Sequence, residues 1–381
     1  MIYPPLDHPA WLVAAFLIGA CVGSFLNVVI YRLPLGLSVN DPKRSFCPKC
    51  KSPIPMRRNI PLVSWLLLRG RCADCKAPIA VRYFLVELLT ALLFAATAWV
   101  VFDRVGPQGG IGLLALPPLW LMVASFVALS FIDAEHMIIP LELTISGTVA
   151  GFLAALAMPV LPDLVGWSPG GGAWWAGVWQ SLLGAVIGFF GLWAVVLLGK
   201  LAFGRKEMKF EKPVAWRLIE PEGDEDPILF EMGGERIEWW DIFNRPSDRL
   251  VIEADTLRVD GESRDGGTLV IRERKIELPD GRAIDLEKLR SLDGTSAQAV
   301  IPREAMGMGD VHLMGMIGAF FGWTGVFFSL FASSLLAIVA ALLCRVGFGR
   351  PLPYGPFLVL GALIWFFGGW RIAAWYLQLL G

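Results

Sequence analysis

Two aspartates stand at the ends of long apolar runs. Asp133 closes the run in SFIDAEHMIIP, and Asp310 follows Gly307 and Gly309 in AMGMGDVHLMG. Carboxylates at the edge of lipid are costly and usually functional. Two carboxylates brought together share a proton, so one serves as general base for water and the other as general acid. Asp133 and Asp310 are therefore predicted to be a catalytic pair of the aspartic peptidase type, with the two glycines allowing a backbone to approach closely.

Other interpretations of these residues stay open at this level. Each aspartate on its own could cap a helix or pair with a basic residue. His136 and His312 lie beside the aspartates and are either orienting groups or merely interfacial side chains. The sequence contains no nucleophile-elbow serine, no H-E-x-x-H pair and no P-loop, which disfavours other peptidase classes and ATPases.

Four cysteines form a second constellation of C-x2-C pairs. Cys47 and Cys50 are followed, after 21 residues, by Cys72 and Cys75. Two such knuckles direct four thiolates to one tetrahedral Zn²⁺, which holds together a loop too small to have its own core. The alternatives are four unlinked thiols or two disulfides. Four thiolates leave no open coordination position, so the predicted zinc is structural.

The composition indicates the kind of protein to which the two aspartates and the four cysteines belong. Only 18% of the residues are charged, the mean hydropathy is +0.59, and the net charge is −1, so a nucleic-acid partner is not predicted. Of the 67 charged residues, 40 lie in 202–303, and 31–82 contains 11 basic and 2 acidic residues. The rest of the chain is almost uncharged. This distribution excludes a soluble globular enzyme and predicts a polytopic membrane protein with two polar excursions.

Apolar runs of about 20 residues predict the membrane helices. The run 313–344 is too long for one helix, and Gly322–Gly325 predicts a turn within it, so the total is about eight transmembrane helices. Residues 202–303 alternate with period two between Gly and Asp-Gly turns, which predicts a β-rich soluble domain. The uncharged or weakly charged runs are 10–31, 83–102, 105–132, 143–162, 164–199, 313–344 and 351–370.

The distribution of charged residues also predicts the orientation of the chain in the membrane and its division into parts. The basic loop is expected in the cytoplasm by the positive-inside rule, which places the N-terminus outside and residues 202–303 inside. The first residues lack a basic segment, so a secretory signal peptide is not expected. The predicted parts are a first helix (1–31), a cytoplasmic tetracysteine zinc loop (32–82), helices two to five with Asp133 (83–201), the inserted cytoplasmic β-rich domain (202–303), and helices six to eight with Asp310 (304–381).

The chain resembles the type IV prepilin peptidase family over nearly its whole length outside 202–303. The similar segments, in order, are GSFLNVVIYRLP at 23–34, the cysteine loop and its following helix at 47–94, FIDAEHMIIP at 131–140, GMGD at 307–310 and YGPFL at 354–358. The resemblance implies an inner-membrane aspartic endopeptidase that removes the leader of type IV prepilins or type II secretion pseudopilins at the cytoplasmic face. It also implies N-methylation of the new N-terminus with S-adenosylmethionine.

By the same resemblance, Asp133 and Asp310 are the catalytic pair and the four cysteines are the metal ligands. Two positions depart from the family pattern: Pro140 is followed by Leu141 where the family often has Asp, and His312 stands where it often has Lys. No motif assigns the residues that bind the methyl donor. The rival hypotheses are a proton- or cation-coupled transporter that uses intramembrane aspartates, and a membrane scaffold whose zinc loop and β-rich domain are the working parts.

Overall fold

A computed structural model of the chain describes residues 9–41, 45–47, 49–105, 111–157, 174–203, 205–219, 228–243, 248–302, 307–345 and 352–380. The predicted extracellular N-terminus, the facing ends of the predicted runs 143–162 and 164–199, and the first residues of 304–381 lie outside these ranges. By internal contacts the chain divides into two units, Met1–Trp193 with Met308–Gly381, and Ala194–Gly307.

The first unit is helical. Its helices are α1 (Pro9–Arg32), the short α2 (Val63–Leu67), α3 (Val81–Val105), α4 (Ile111–His136), α5 (Leu141–Ala157), α6 (Trp174–Phe203, which continues into the second unit), α8 (Met308–Leu343), α9 (Gly355–Ile364) and α10 (Trp370–Leu380), the last two joined by a π-helical turn at Trp365–Gly369. In the described residues α1 packs along α3, and α8 packs on α5 and α9.

Six helical segments in the described part of the chain are long and apolar enough to cross a membrane: Pro9–Leu35, Val81–Val105, Leu113–His136, Trp175–Leu201, Met308–Leu343 and Gly355–Tyr376. Helix α5 is apolar but shorter. Helix α8 is broken at Gly322, whose backbone is non-helical with φ 65° and ψ −176°. The sequence predicted about eight transmembrane helices, and the described residues contain six candidate spans, because α5 is too short to count and α8 counts once despite its break. The predicted fold class, a polytopic helical membrane protein with an inserted sheet, is confirmed.

The second unit contains one antiparallel sheet. Its spatial order is β3-β2-β1-β9-β4-β6-β7-β8, with β5 pairing to β4 beside this path. The strands are β1 (Arg205–Ile219), β2 (Leu229–Met232), β3 (Glu235–Glu238), β4 (Leu250–Val259), β5 (Glu262–Arg264), β6 (Gly267–Ile271), β7 (Lys275–Glu277), β8 (Ala283–Asp285) and β9 (Leu292–Pro302), and a short helix α7 (Trp239–Ile242) follows β3.

Buried and exposed residues alternate along the central strands, which explains why this segment folds as a sheet. In β4 every second residue from Leu250 to Ala254 is buried while its neighbours are more exposed. The buried side chains join Trp216, Phe230 and Leu269 in one apolar core. Period-two burial is the pattern of a sheet with one face on a core and one face in water, and it accounts for the charged residues concentrated in this part of the sequence.

Candidate active site and metal centre

Asp133 lies in the last turn of α4, at a sharp change of chain direction. The Met137 amide donates to the Asp133 carbonyl at 2.9 Å, and Met137 has a φ of 56°. A residue in this left-handed conformation commonly ends a helix. Residues 138–140 then lead directly into α5, so the segment after Asp133 is held close to that aspartate.

The Asp133 side chain is buried, with 5% of its surface exposed. The Gly355 amide, at the start of α9, donates to Asp133 Oδ2 at 2.9 Å. A Cβ atom placed on Gly355 would come within 2.8 Å of the same oxygen. The close approach of the α9 backbone therefore requires glycine at this position, and it orients the carboxylate.

Asp310 lies in the first turn of α8 and is also buried, with 8% of its surface exposed. The preceding Gly309 packs tightly on Ile139, since a Cβ atom at Gly309 would lie 2.6 Å from Ile139 Cβ. Ile139 Cδ1 would also lie 3.1 Å from a Cβ atom at Gly355. Ile139 thus contacts both the loop that precedes Asp310 and the glycine that orients Asp133.

The remaining predicted residues near this site differ in their surroundings. Gly307 is exposed just before α8 begins, and His136 is exposed at the end of α4. The His312 ring packs edge-on against Phe189, with ring centroids 5.0 Å apart. The sequence analysis did not single out Ile139 or Gly355 as site residues. The available signal was the resemblance to the family of 131–140, which contains Ile139, and of 354–358, which contains Gly355.

Three contacts connect the helix ends that surround the cysteine loop and Asp133. Asn27 of α1 donates to the Tyr83 carbonyl at 3.0 Å. Arg82 forms an ion pair with Glu135, two residues beyond Asp133. The Leu62 amide donates to Glu87 at 2.7 Å. The C-terminal end of α1, the N-terminal end of α3 and the C-terminal end of α4 therefore lie at the same end of the helical unit.

The four cysteines form two knuckles with the same backbone geometry. In the first, the Lys51 amide donates to the Cys47 carbonyl and the Cys47 amide donates to the Ser52 carbonyl. The second knuckle repeats both bonds, from Lys76 to Cys72 and from Cys72 to the Ala77 carbonyl. Lys51 and Lys76 both have a φ of 59°. Such a turn brings two cysteines three residues apart to the same side of the chain.

The sulfur atoms converge on one point between the knuckles. Cys47 Sγ lies 3.9 Å from Cys75 Sγ, Cys50 Sγ lies 4.0 Å from Cys72 Sγ, and all four lie within 4.8 Å of one another. An ion bound tetrahedrally at about 2.3 Å from each sulfur needs sulfur separations of about 3.8 Å. The four cysteines are therefore positioned to bind a metal ion. They are not disulfide-bonded, so the disulfide alternative is wrong.

Hydrogen bonding and burial shift the pKa values of Cys50, Cys72 and Cys75 in different directions. Hydrogen bonds from the side chain and backbone of Ser52 lower the pKa of Cys50 to about 6. The Cys75 and Asp74 amides lower the pKa of Cys72. The Ala77 amide lowers the pKa of Cys75, but burial and the neighbouring thiols outweigh it and raise that pKa to about 11. Four adjacent thiolates repel one another, and a bound cation relieves this repulsion.

Two family models match the chain, and their matched ranges contain the four cysteines and the two aspartates. The model described as the bacterial peptidase A24 N-terminal domain matches residues 17–101, which include the four cysteines. The model described as the type IV leader peptidase family matches residues 120–209 and 291–342, which include both aspartates. The interruption at 210–290 falls in the sheet. No solved structure is significantly similar to the chain.

Individual proteins similar to the chain are also named as leader peptidases. A prepilin leader peptidase/N-methyltransferase of Myxococcus xanthus is 41% identical over 238 residues, which cover 62% of this chain and 59% of that protein. Proteins of the same name from Aeromonas hydrophila and Klebsiella pneumoniae are 37% and 34% identical, over 51% and 52% of this chain and 67% and 79% of their own lengths. On this identity and coverage, the chain belongs to the type IV leader peptidase family.

Proposed function

We propose that this protein is an intramembrane aspartic endopeptidase that removes the leader peptide of type IV prepilins or type II secretion pseudopilins. The observation that supports this most directly is that both Asp133 and Asp310 are buried, while Ile139 packs on Gly309, beside Asp310, and on Gly355, whose amide binds Asp133. The relatives named above carry the same activity in their names.

In the proposed reaction the two carboxylates share one proton. The ionised carboxylate takes a proton from a water molecule, whose oxygen attacks the scissile carbonyl, and the protonated one supplies a proton to the leaving amine. The pair titrates as a unit, so neither role is assigned to one aspartate. The Gly355 amide holds the Asp133 carboxylate in orientation, and Gly309 lets the Asp310 segment approach. Gly307 and Gly309 support the loop.

The location follows from the same proposal. The protein would cross the inner membrane several times, with its N-terminus outside and the parts 32–82 and 202–303 in the cytoplasm. The positive-inside rule supports this orientation, because 31–82 contains 11 basic residues. The helix ends beside Asp133 are joined to the cysteine loop by the Arg82–Glu135 ion pair. Leader cleavage would then take place at the cytoplasmic face, in contact with membrane lipid.

Asp310→Asn tests the peptidase directly. Asn has nearly the same size but cannot exchange the proton, so we expect leader cleavage to fall by at least about a thousandfold. The measurement is mass spectrometry of a prepilin incubated with the purified full chain in detergent. Asp103→Asn, at an exposed aspartate near the end of α3, is the matched control and should cleave normally. Full cleavage by Asp310→Asn would exclude the proposed pair.

We further propose that Cys47, Cys50, Cys72 and Cys75 hold a structural Zn²⁺. A tetrahedral set of four thiolates suits zinc, or iron in an Fe–S site. We expect about one zinc per chain by elemental analysis, lost in the Cys72→Ser/Cys75→Ser variant. Cys21→Ser, on α1 and outside the cluster, should keep the metal. Iron in place of zinc, or no metal in freshly purified protein, would contradict the assignment.

The second proposed activity is methylation of the new N-terminal amine with S-adenosylmethionine as methyl donor. It rests on the names of the relatives. The donor supplies a methyl group on a sulfonium. The amine lone pair forms the new N–C bond, the C–S electron pair remains on sulfur, and a proton leaves the nitrogen to water. The transporter and scaffold hypotheses are not favoured, because the matching families are leader peptidases.

A further inference from the structure

A cluster of cationic and aromatic side chains lies at the C-terminal end of α3. Arg104 Cζ lies 5.8 Å from the centroid of the Phe366 ring and 5.6 Å from that of the Trp370 ring. Arg371 Cζ lies 5.3 Å from the same Trp370 ring. The two guanidinium groups are close enough to repel each other electrostatically. One indole ring therefore contacts two cations.

The backbone beside this cluster is irregular. Trp365–Gly369 forms the π-helical turn, and Gly368 has a non-helical φ of 141°. Such a turn interrupts the regular hydrogen bonding of a helix. The Phe366 carbonyl accepts a hydrogen bond from Arg104 Nη2 at 2.9 Å. That bond uses one nitrogen of the guanidinium and fixes the position of the whole group.

Two buried donors in the cluster have no acceptor among the residues that the structure describes. They are Arg104 Nη1 and Trp370 Nε1. A buried N–H group without an acceptor is costly, so folded proteins rarely keep one. Two such donors on neighbouring side chains indicate one acceptor that binds both.

The charge of the cluster is also not balanced within the described part of the chain. No carboxylate there forms an ion pair with Arg104 or Arg371. Asp103 attracts Arg104 electrostatically, but its side chain is exposed. Residues 106–110, which follow α3, include no acidic residue. A cation at the edge of lipid is normally paired, so the acceptor is expected to be an anion.

The position of the cluster along α3 corresponds to a membrane edge. Near the start of this helix, Arg82 pairs with Glu135 beside the cysteine loop. Arg104 is 22 residues further on, about 33 Å at the rise of an α-helix, and the hydrocarbon core of a bilayer is about 30 Å thick. Arg104 is therefore at the opposite edge, at the level of lipid headgroups. Ile372 and Trp375 of α10 are exposed apolar side chains nearby in the sequence.

We propose that Arg104, Trp370 and Arg371 bind the phosphate of one anionic glycerophospholipid. The phosphate accepts charge-assisted hydrogen bonds from the two guanidinium groups and a hydrogen bond from the indole N–H. The acyl chains lie in the bilayer beside the exposed apolar residues of α10. Free phosphate offers the same oxygens but gains nothing from the hydrocarbon. The site lies away from the proposed peptidase residues and does not depend on the proposed function.

Native mass spectrometry of the purified full chain in detergent tests the site. The probes are phosphatidylglycerol, which is anionic, and phosphatidylcholine, whose phosphate is accompanied by a choline cation. We expect one phosphatidylglycerol per chain, bound at least about tenfold more tightly than phosphatidylcholine, because two arginines repel the choline cation. A wild type that binds both lipids equally, or neither, would overturn the inference.

Three variants measure the contribution of each donor. Arg104→Gln should weaken phosphatidylglycerol binding by at least about tenfold, because it removes charge-assisted hydrogen bonds. Arg371→Gln should weaken it by about fivefold, the effect of one basic residue at a membrane surface. Trp370→Phe keeps a ring and removes only the N–H group, so about threefold is expected. Arg258→Gln, at an exposed arginine of the sheet, removes the same charge and should bind as the wild type does.

Gel filtration of every variant checks the fold. If Arg104→Gln does not elute as the wild type does, Arg371→Gln decides, because its side chain is exposed. Unchanged lipid binding in the folded arginine variants would overturn the inference, since the chain itself would then supply the acceptor. Full displacement of the lipid by inorganic phosphate would also overturn it, because the cluster would then be a site for free anions.

Photolabelling locates the bound lipid independently of its affinity. The probe is a phosphatidylglycerol analogue with a diazirine in its headgroup. We expect labelled peptides from the C-terminal end of α3 and from the start of α10, and loss of this label in Arg371→Gln. Labelling confined to the basic part 31–82 would contradict the proposed site.

Discussion

Asp133 in the helical unit and Asp248 in the sheet unit are both buried aspartates, with 5% and 4% of their surfaces exposed. The Asp248 carboxylate forms an ion pair with Lys200 Nζ at 3.0 Å. The Asp133 carboxylate instead accepts a hydrogen bond from the Gly355 amide. A buried charge is normally paired, so Asp248 has the surroundings of a structural residue. Asp133 has those of a group that is held in place and still able to exchange a proton.

Two partly exposed carboxylates of the sheet show how a structural acidic residue is usually paired. Glu231 lies between Arg217 and Arg236, and hydrogen bonding to Arg217 lowers its pKa. Asp293 pairs with Arg258 at 2.9 Å. Such surface pairs contribute little to stability because solvent screens them. High charge in this part of the sequence therefore marks a solvated surface, whereas the sparse charge of the helical unit includes the residues proposed for chemistry.

The largest effect expected from this comparison is on leader cleavage. Asp133→Asn should reduce cleavage of a prepilin by at least about a thousandfold, because the general acid or base is removed. Asp248→Asn, an equally buried position, should cleave at the wild-type rate. Each purified full-length variant is incubated with the prepilin, and the cleaved product is measured by mass spectrometry. Equal losses in the two variants would mean that burial, rather than chemistry, explains the effect.

A smaller effect is expected from the residue that orients Asp133. The methyl group in Gly355→Ala would come within 2.8 Å of Asp133 Oδ2 and displace the carboxylate, so we expect cleavage to fall by about tenfold to a hundredfold. Gly191→Ala in α6, where a Cβ atom meets nothing within 4 Å, is the matched control. Unchanged kinetics in Gly355→Ala would show that the contact does not position Asp133.

The smallest effect concerns stability of the sheet. Asp248→Asn should leave the half-buried Lys200 without its counter-charge and reduce the local free energy of opening by about 1–3 kcal/mol. Hydrogen–deuterium exchange of the β4 amides in the full chain measures this loss. Asp293→Asn removes a more exposed pair partner and should change the opening free energy by less than about 0.5 kcal/mol. Equal changes in both variants would remove the distinction between buried and exposed pairs.

The sequence by itself determined the features that depend on local composition. Runs of about 20 apolar residues must form helices in a membrane because their backbone groups have no other partners there, and the turn expected near Gly322 is the break in α8. Period-two alternation likewise determined the sheet of the insert, and the C-x2-C spacing determined the knuckles that bring the four sulfurs together.

Only the tertiary structure decided which distant residues surround each site. The contact from Gly355 to Asp133 joins positions 222 residues apart, and Ile139 packs on Gly309 from an unrelated part of the chain. No local pattern encodes such contacts, since they arise from how helices pack. Residue type and spacing thus predicted the two aspartates, whereas helix packing decided which residues contact them and their neighbouring glycines.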